Sequence, residues 1–159
     1  MHRGLFTALV LLSLTHCAST DPSSQVEQPA RRGSLTVEIE PNPIVARTLP
    51  SGSFEFPFEI VVREVSGVPV TVTEVSLEVV AFGALTVHSE RFGPEEIRRR
   101  GFPTEVPAGG ELRYRFQPRR KVDDDRLFGG VSAEVTIRGT SQGTEIEPAR
   151  TSVTVTRGG

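Results

Sequence analysis

From Phe54 onward an apolar residue stands at every second position: Phe54, Phe56, Phe58, Ile60 and Val62, with Glu55, Glu59 and Arg63 on the other parity. Successive side chains of an extended strand point to opposite faces, so this pattern puts one face on a core and the other in water. A Ser66-Gly67 turn follows, and a second apolar stretch runs on to Phe82. The two strands are expected in the middle of a small β-sandwich. Within the second stretch the alternation changes phase. Val68, Val70 and Val72 share one parity, and Val75, Leu77 and Val79 share the other. A strand that keeps one face buried across such a slip needs an extra residue, which predicts a β-bulge or a break at Thr73-Glu74.

The rest of the chain repeats the theme. Leu35, Val37 and Ile39 alternate with Thr36, Glu38 and Glu40, and Pro41-Asn42-Pro43 ends that strand. Proline has no N–H to donate to a ladder, so the chain must leave the sheet there or follow an edge. Pro57 predicts an edge position or a bulge for the same reason. Leu85 and Val87 form a short strand after a Gly83 turn. Leu112, Tyr114 and Phe116 point inward between Glu111, Arg113 and Arg115, after a turn over residues 107–110. Val131, Ala133, Val135 and Ile137 make the next strand, and residues 146–155 return as the last after a turn signal at Thr140-Ser141-Gln142-Gly143. Residues 92–101 read as a short crossing helix. Pro94 suits its first position, Glu95 and Glu96 its positive end, Arg98, Arg99 and Arg100 its negative end, and Gly101 its stop. Matching of the helix dipole accounts for the three arginines better than an anion site does.

The expected fold is all-β: an immunoglobulin-like or fibronectin-III-like sandwich of about seven or eight antiparallel strands, with one short crossing helix. Phe56, Phe58, Ile60, Leu77, Tyr114, Phe116, Val135 and Val153 should share its core, each being on the apolar parity of its strand.

Three segments follow from composition. Residues 1–17 hold a short basic start and an apolar run, Leu5 to Leu14, too short for the roughly 20 residues that span a bilayer. Residues 18–33 are polar and rich in Ser, Pro and Gln, and form a flexible tether. Residues 34–157 form the folded domain. Leu14, Thr15 and Cys17 resemble the box that ends a bacterial lipoprotein signal, although His16 departs from the small residue usual there. The resemblance implies that Cys17 is lipidated and becomes the mature N-terminus. A membrane partner through an N-terminal lipid anchor and an outer-membrane location in the bacterial envelope go with it. A soluble periplasmic or secreted protein is the alternative.

The segments GVPVTVTEVSLEV, VPAGGELRYRF, GGVSAEVTIRGTSQG and TSVTVT, in that order, look like the immunoglobulin-like modules of bacterial envelope proteins. Gly67-Val68, the turn at residues 107–110, an Arg138-Gly139-Thr140 corner and Gly143 carry the likeness. A weaker resemblance is to the late-embryogenesis-abundant sandwich, through an Asn-Pro near the first strand. Both imply a fold and neither implies an activity.

The chemistry is read mainly by exclusion. A net charge of −2 implies no field for nucleic acid. Cys17 is the only cysteine, so no disulfide forms within the chain. Of three histidines only His88 follows the leader, where it reads as a surface or edge residue; one imidazole without a thiol is not a typical zinc site. No P-loop, dinucleotide fingerprint or GxSxG turn is present. With no Trp and a single Tyr, sugar stacking is disfavoured. Asp123, Asp124 and Asp125 suggest calcium, but calcium loops place carboxylates on alternate residues. The expectation is a monomeric binding or structural module with an unknown protein partner, no cofactor and no catalysis. A calcium-dependent adhesion module and a carboxylate hydrolase are the alternatives.

Overall fold

Prolines decide where the strands break and which sheet each piece joins. The computed structural model describes residues 31–123 and 128–158. Its elements are β1 (Leu35–Glu40), β2 (Ile44–Thr48), β3 (Phe54–Glu55), β4 (Phe58–Glu64), β5 (Val70–Ala81), β6 (Leu85–Phe92), α1 (Pro94–Arg99), β7 (Glu105–Val106), β8 (Glu111–Phe116), β9 (Arg119–Arg120), β10 (Val131–Ser141), β11 (Thr144–Glu145) and β12 (Ala149–Arg157). One sheet has three strands in the order β1-β4-β8. The other has nine, on the path β6-β5-β10-β12-β2-β3-β9, with β11 on β10 and β7 on β5. This is the all-β, immunoglobulin-like sandwich expected from the sequence.

Two details differ from that expectation. Among the described residues there are twelve strands rather than seven or eight, and one pair is parallel. The cause lies at Pro41, Pro43 and Pro57. β1 belongs to the small sheet, but past Pro41-Asn42-Pro43 the chain crosses over, and β2 lies parallel to β12 with Ile44 opposite Val155. Pro57 acts likewise. β3, before it, pairs with β2 and β9, while β4, after it, pairs with β1 and β8. One alternating stretch therefore serves two sheets.

The phase slip in β5 is a bulge. Arg138 faces Glu74 and Gly139 faces Val72, so Thr73 is the extra residue. A side chain on Gly139 would come within 2.8 Å of Val70 Cγ1 and 2.9 Å of the Thr71 carbonyl oxygen. Arg138-Gly139-Thr140 thus lies inside β10 and is no corner. The turn comes later, where Gln142 and Gly143 both have positive φ, as a two-residue type I′ hairpin requires, and Ser141 pairs with Thr144.

β4 and β5 lie in different sheets, so Ser66-Gly67 is a corner between layers. The alternation that buries Phe58, Ile60 and Val62 also buries Glu64. Its carboxylate accepts hydrogen bonds from the backbone N–H of Ser66 at 2.7 Å, of Gly67 at 2.8 Å and of Gly109 at 2.8 Å, and from the Ser66 hydroxyl. A buried charge is tolerable only with such partners.

The core gathers Leu35, Val37, Ile39, Phe58, Ile60, Val62, Leu77, Tyr114, Val135 and Val153, with Phe56 and Phe116 partly buried against it. The Tyr114 hydroxyl donates to the Pro103 carbonyl at 3.0 Å, and burial pushes its pKa up. Outside the small sheet, charges form a lattice. Arg63 pairs with Glu38 and Glu111, Arg113 with Glu40, Glu59 and Glu111, and Arg115 with Glu59. The Arg115 and Arg113 guanidiniums hold the Glu59 carboxyl below its ordinary range. α1 packs Ile97 inward, while Arg99 and Arg100 both pair with Glu96, as expected of dipole-matched, solvated arginines.

Candidate binding cleft

The two sheets join on one side and part on the other. Beyond Pro57, β3 continues β4 into the large sheet, and β9 does the same for β8 past Pro118, with the Phe56 N–H bonded to the Pro118 carbonyl at 3.0 Å. This closes the β2–β3 side. β6 and β9 are the two ends of the large sheet's path. Arg120 on β9 reaches Glu90 on β6, Nη2 to Oε1 3.2 Å, and so bridges those ends.

Behind that bridge lies a cavity of about 1000 Å³. Leu77 and Val79 of β5, Val131 and Ala133 of β10, and Val155 of β12 line one wall; Phe56, Phe58 and Phe116 line the other. Phe58 and Phe116 stack at 5.3 Å between centroids, and Phe102 tilts against Phe116 at 5.5 Å. At the mouth, His88 Nε2 and Glu90 Oε1 share a hydrogen bond of 2.9 Å. Arg100, Arg115, Arg120, Lys121 and Asp123 complete the rim. A roomy apolar cavity with a few convergent polar groups is the usual form of a binding site.

Beside the mouth the edge strand β6 exposes apolar groups. Leu85 is 60% and Val87 51% exposed, and Phe82, at the hairpin tip, is 67% exposed with φ 53°. Such a φ is uncommon for a bulky residue. The Phe82 N–H donates to the Gly130 carbonyl at 2.6 Å, and its ring lies over Gly130, where a Cβ would come within 2.9 Å of Cδ1. β6 also carries its own bulge, since Val87 is left over where Val79 faces His88 and Val80 faces Thr86.

The residues singled out by sequence fall as follows. Cys17 lies outside the described residues, as do Asp124 and Asp125. Asp123 is at the cleft's rim, where it pairs with Lys121 Nζ at 3.1 Å. Among the described residues no group of three or more His, Cys, Asp or Glu could hold a metal ion, and no helix is long and apolar enough to cross a membrane. His88 is on an edge strand, as expected, but its side chain lines the cleft. Two carboxylates are off the solvent faces: Glu64 is buried and Glu90 lines the cleft. Parity held a signal for both. Glu64 shares the parity of Phe58, Ile60 and Val62, and His88, Glu90 and Phe92 share one parity on β6. Nothing local marks Arg120, which reaches Glu90 only through the fold.

No protein-family model and no curated protein matches the chain. Among solved structures it is similar to the ApaA protein of Bordetella pertussis, with 12% identity, 80% of this chain and 98% of that one covered, and a TM-score of 0.52. It is also similar to the Northeast Structural Genomics Consortium target SoR45, with 9% identity, 78% and 87% coverage and a TM-score of 0.50. The CARDB domain of a Pyrococcus furiosus protein, solved in complex with di-metal ions, aligns at 15% identity over 80% of this chain and 97% of that one, with a TM-score of 0.41. At these identities the likeness concerns the fold alone.

Proposed function

We propose that this chain is a non-catalytic binding module of the bacterial envelope, tethered through Cys17, and that it binds in the cleft between β6 and β9. The observation that carries the binding role is the cavity of about 1000 Å³, walled by apolar side chains and entered past His88, Glu90 and Arg120. The tether reading rests on the sequence of residues 1–33. The sandwich supplies a rigid frame, and the parted side supplies access.

Two measurements test this. The neutral apolar dye Nile red should bind the Cys17→Ser chain, which carries no covalent lipid, with saturable fluorescence, and adding Ala133→Phe, which fills the cleft from β10, should abolish that binding while leaving the fold unchanged by circular dichroism. Equal dye binding by both chains sinks the cleft as the site. For the anchor, expression in a bacterial host should give a detergent-phase protein whose intact mass places a lipidated Cys17 at its N-terminus. An unmodified chain in the aqueous phase leaves a soluble exported domain.

A further inference from the structure

We propose that the cleft takes a single-chain fatty carboxylate, its acyl chain between the sheets and its head group at Arg120. This deepens the reading of the cleft as the binding site and rests on it. The walls contributed by Phe56, Phe58, Leu77, Val79, Phe116, Val131, Ala133 and Val155 carry no polar side-chain atoms. A polar ligand body would be left there without partners, which is costly, so the body must be apolar. At about 1000 Å³ the cavity is at the upper end for small-molecule sites, roomy enough for a long chain.

The mouth has the opposite character. The lining residues include four fixed cations, Arg100, Arg115, Arg120 and Lys121, against two carboxylates, Glu90 and Asp123. Arg115 and Arg100 are further paired with Glu59 and Glu96, and Lys121 pairs with Asp123 at the outer rim, where their side chains are 80% and 81% exposed; Arg120 is the cation that spans the mouth, from β9 to Glu90 on β6. Glu90 already has a second partner in His88 at 2.9 Å. Arg120 Nη1 donates to the Arg119 carbonyl at 3.0 Å, so an incoming carboxylate can take over Nη2 while Glu90 keeps the imidazole. A peptide strand added to β6 fits less well, because the bulge at Val87 interrupts the edge and Arg120 crosses the gap where the strand would lie.

The test uses the full chain carrying Cys17→Ser, which removes any covalent lipid, and displaces bound Nile red with dodecanoate or dodecan-1-ol. Dodecanoate should displace the dye at concentrations about tenfold lower than the alcohol, the factor expected of one charge-assisted hydrogen-bonded pair. Arg120→Ala should abolish most of that ratio. Glu90→Gln, which frees Arg120 and removes a like charge, should raise it; neither change should move the alcohol. Equal displacement by acid and alcohol overturns the head-group assignment and leaves the cleft standing. Dye binding that Ala133→Phe blocks but neither ligand displaces overturns the acyl chain, as a peptide occupant would. No dye binding at all overturns the cleft reading itself.

Discussion

Gly109 donates its backbone N–H to the Glu64 carboxylate across 2.8 Å, although the two residues are 45 positions apart in the chain. The same carboxylate holds the Ser66-Gly67 corner, and the Ser34 N–H approaches it at 3.5 Å. One charged group therefore ties together the start of β1, the corner from β4 to β5 and the turn into β8. Two backbone bonds support it, Glu64 N–H to the Gly110 carbonyl and Val65 N–H to the Ser34 carbonyl, both 3.0 Å.

Glu64→Ala should destabilise the fold by at least about 2 kcal/mol in denaturant melts, because three backbone donors lose a charged acceptor in a site shielded from water. Glu64→Gln should recover only part of this, since its amide group presents N–H where the site needs oxygen. A loss under about 0.5 kcal/mol for the alanine variant would show that these donors find other partners.

The same carboxylate makes stability depend on pH. Burial pushes its pKa up, but hydrogen bonds from the Gly109 N–H, the Ser66 hydroxyl and N–H and the Gly67 N–H prevail, and the value falls from 4.5 to about 2. A depressed carboxyl contributes stability that is fully present above the unfolded-state value and is lost as pH falls through the folded one. The wild-type advantage over Glu64→Gln should therefore hold above pH 4.5 and shrink steadily toward pH 2. A constant gap across that window would assign the effect to packing.

Phe58 is the first residue of β4, buried and stacked on Phe116. Phe58→Ala should cost roughly 3–5 kcal/mol. A cost below about 1 kcal/mol would mean that the adjoining cleft lets the neighbours collapse into the space.

Gly139→Val tests the bulge. The added Cβ would meet Val70 Cγ1 at 2.8 Å and the Thr71 carbonyl oxygen at 2.9 Å, and a backbone atom cannot turn aside as a side chain can. Overpacking of this kind costs about 1–3 kcal/mol. A variant as stable as wild type would place the close approach of β5 and β10 elsewhere.

Sheet faces were legible because parity is local. Phe58, Ile60 and Val62, the slip at Thr73 and the stop at Gly101 each follow from residues within a few positions of one another. The destinations of the strands were not. Whether Pro57 ends a strand, bends it or sends it into another sheet depends on β2 and β9, which lie nearby only in the folded chain. The cleft was hidden for the same reason. Leu77 and Phe116 both read as core residues, and alternation cannot say whether two inward faces touch or stand apart. His88 reads as an edge residue because its strand is one; its parity with Phe92 points inward, but that this face forms a mouth shows only in the Glu90–Arg120 bridge.

Gly33 is packed at the end of the sandwich where β5 begins and β10 ends; a side chain there would come within 2.9 Å of Ser141 and would also strike Val70. The cleft, with Val79 and Val131, belongs to the other end of the same two strands, roughly 30 Å away at about 3.3 Å per residue. The described chain therefore enters the sandwich at the pole opposite the mouth. A label attached where the described chain begins, at Arg31 or Arg32, is far from the entrance, whereas one on the hairpin at Phe82 would crowd it.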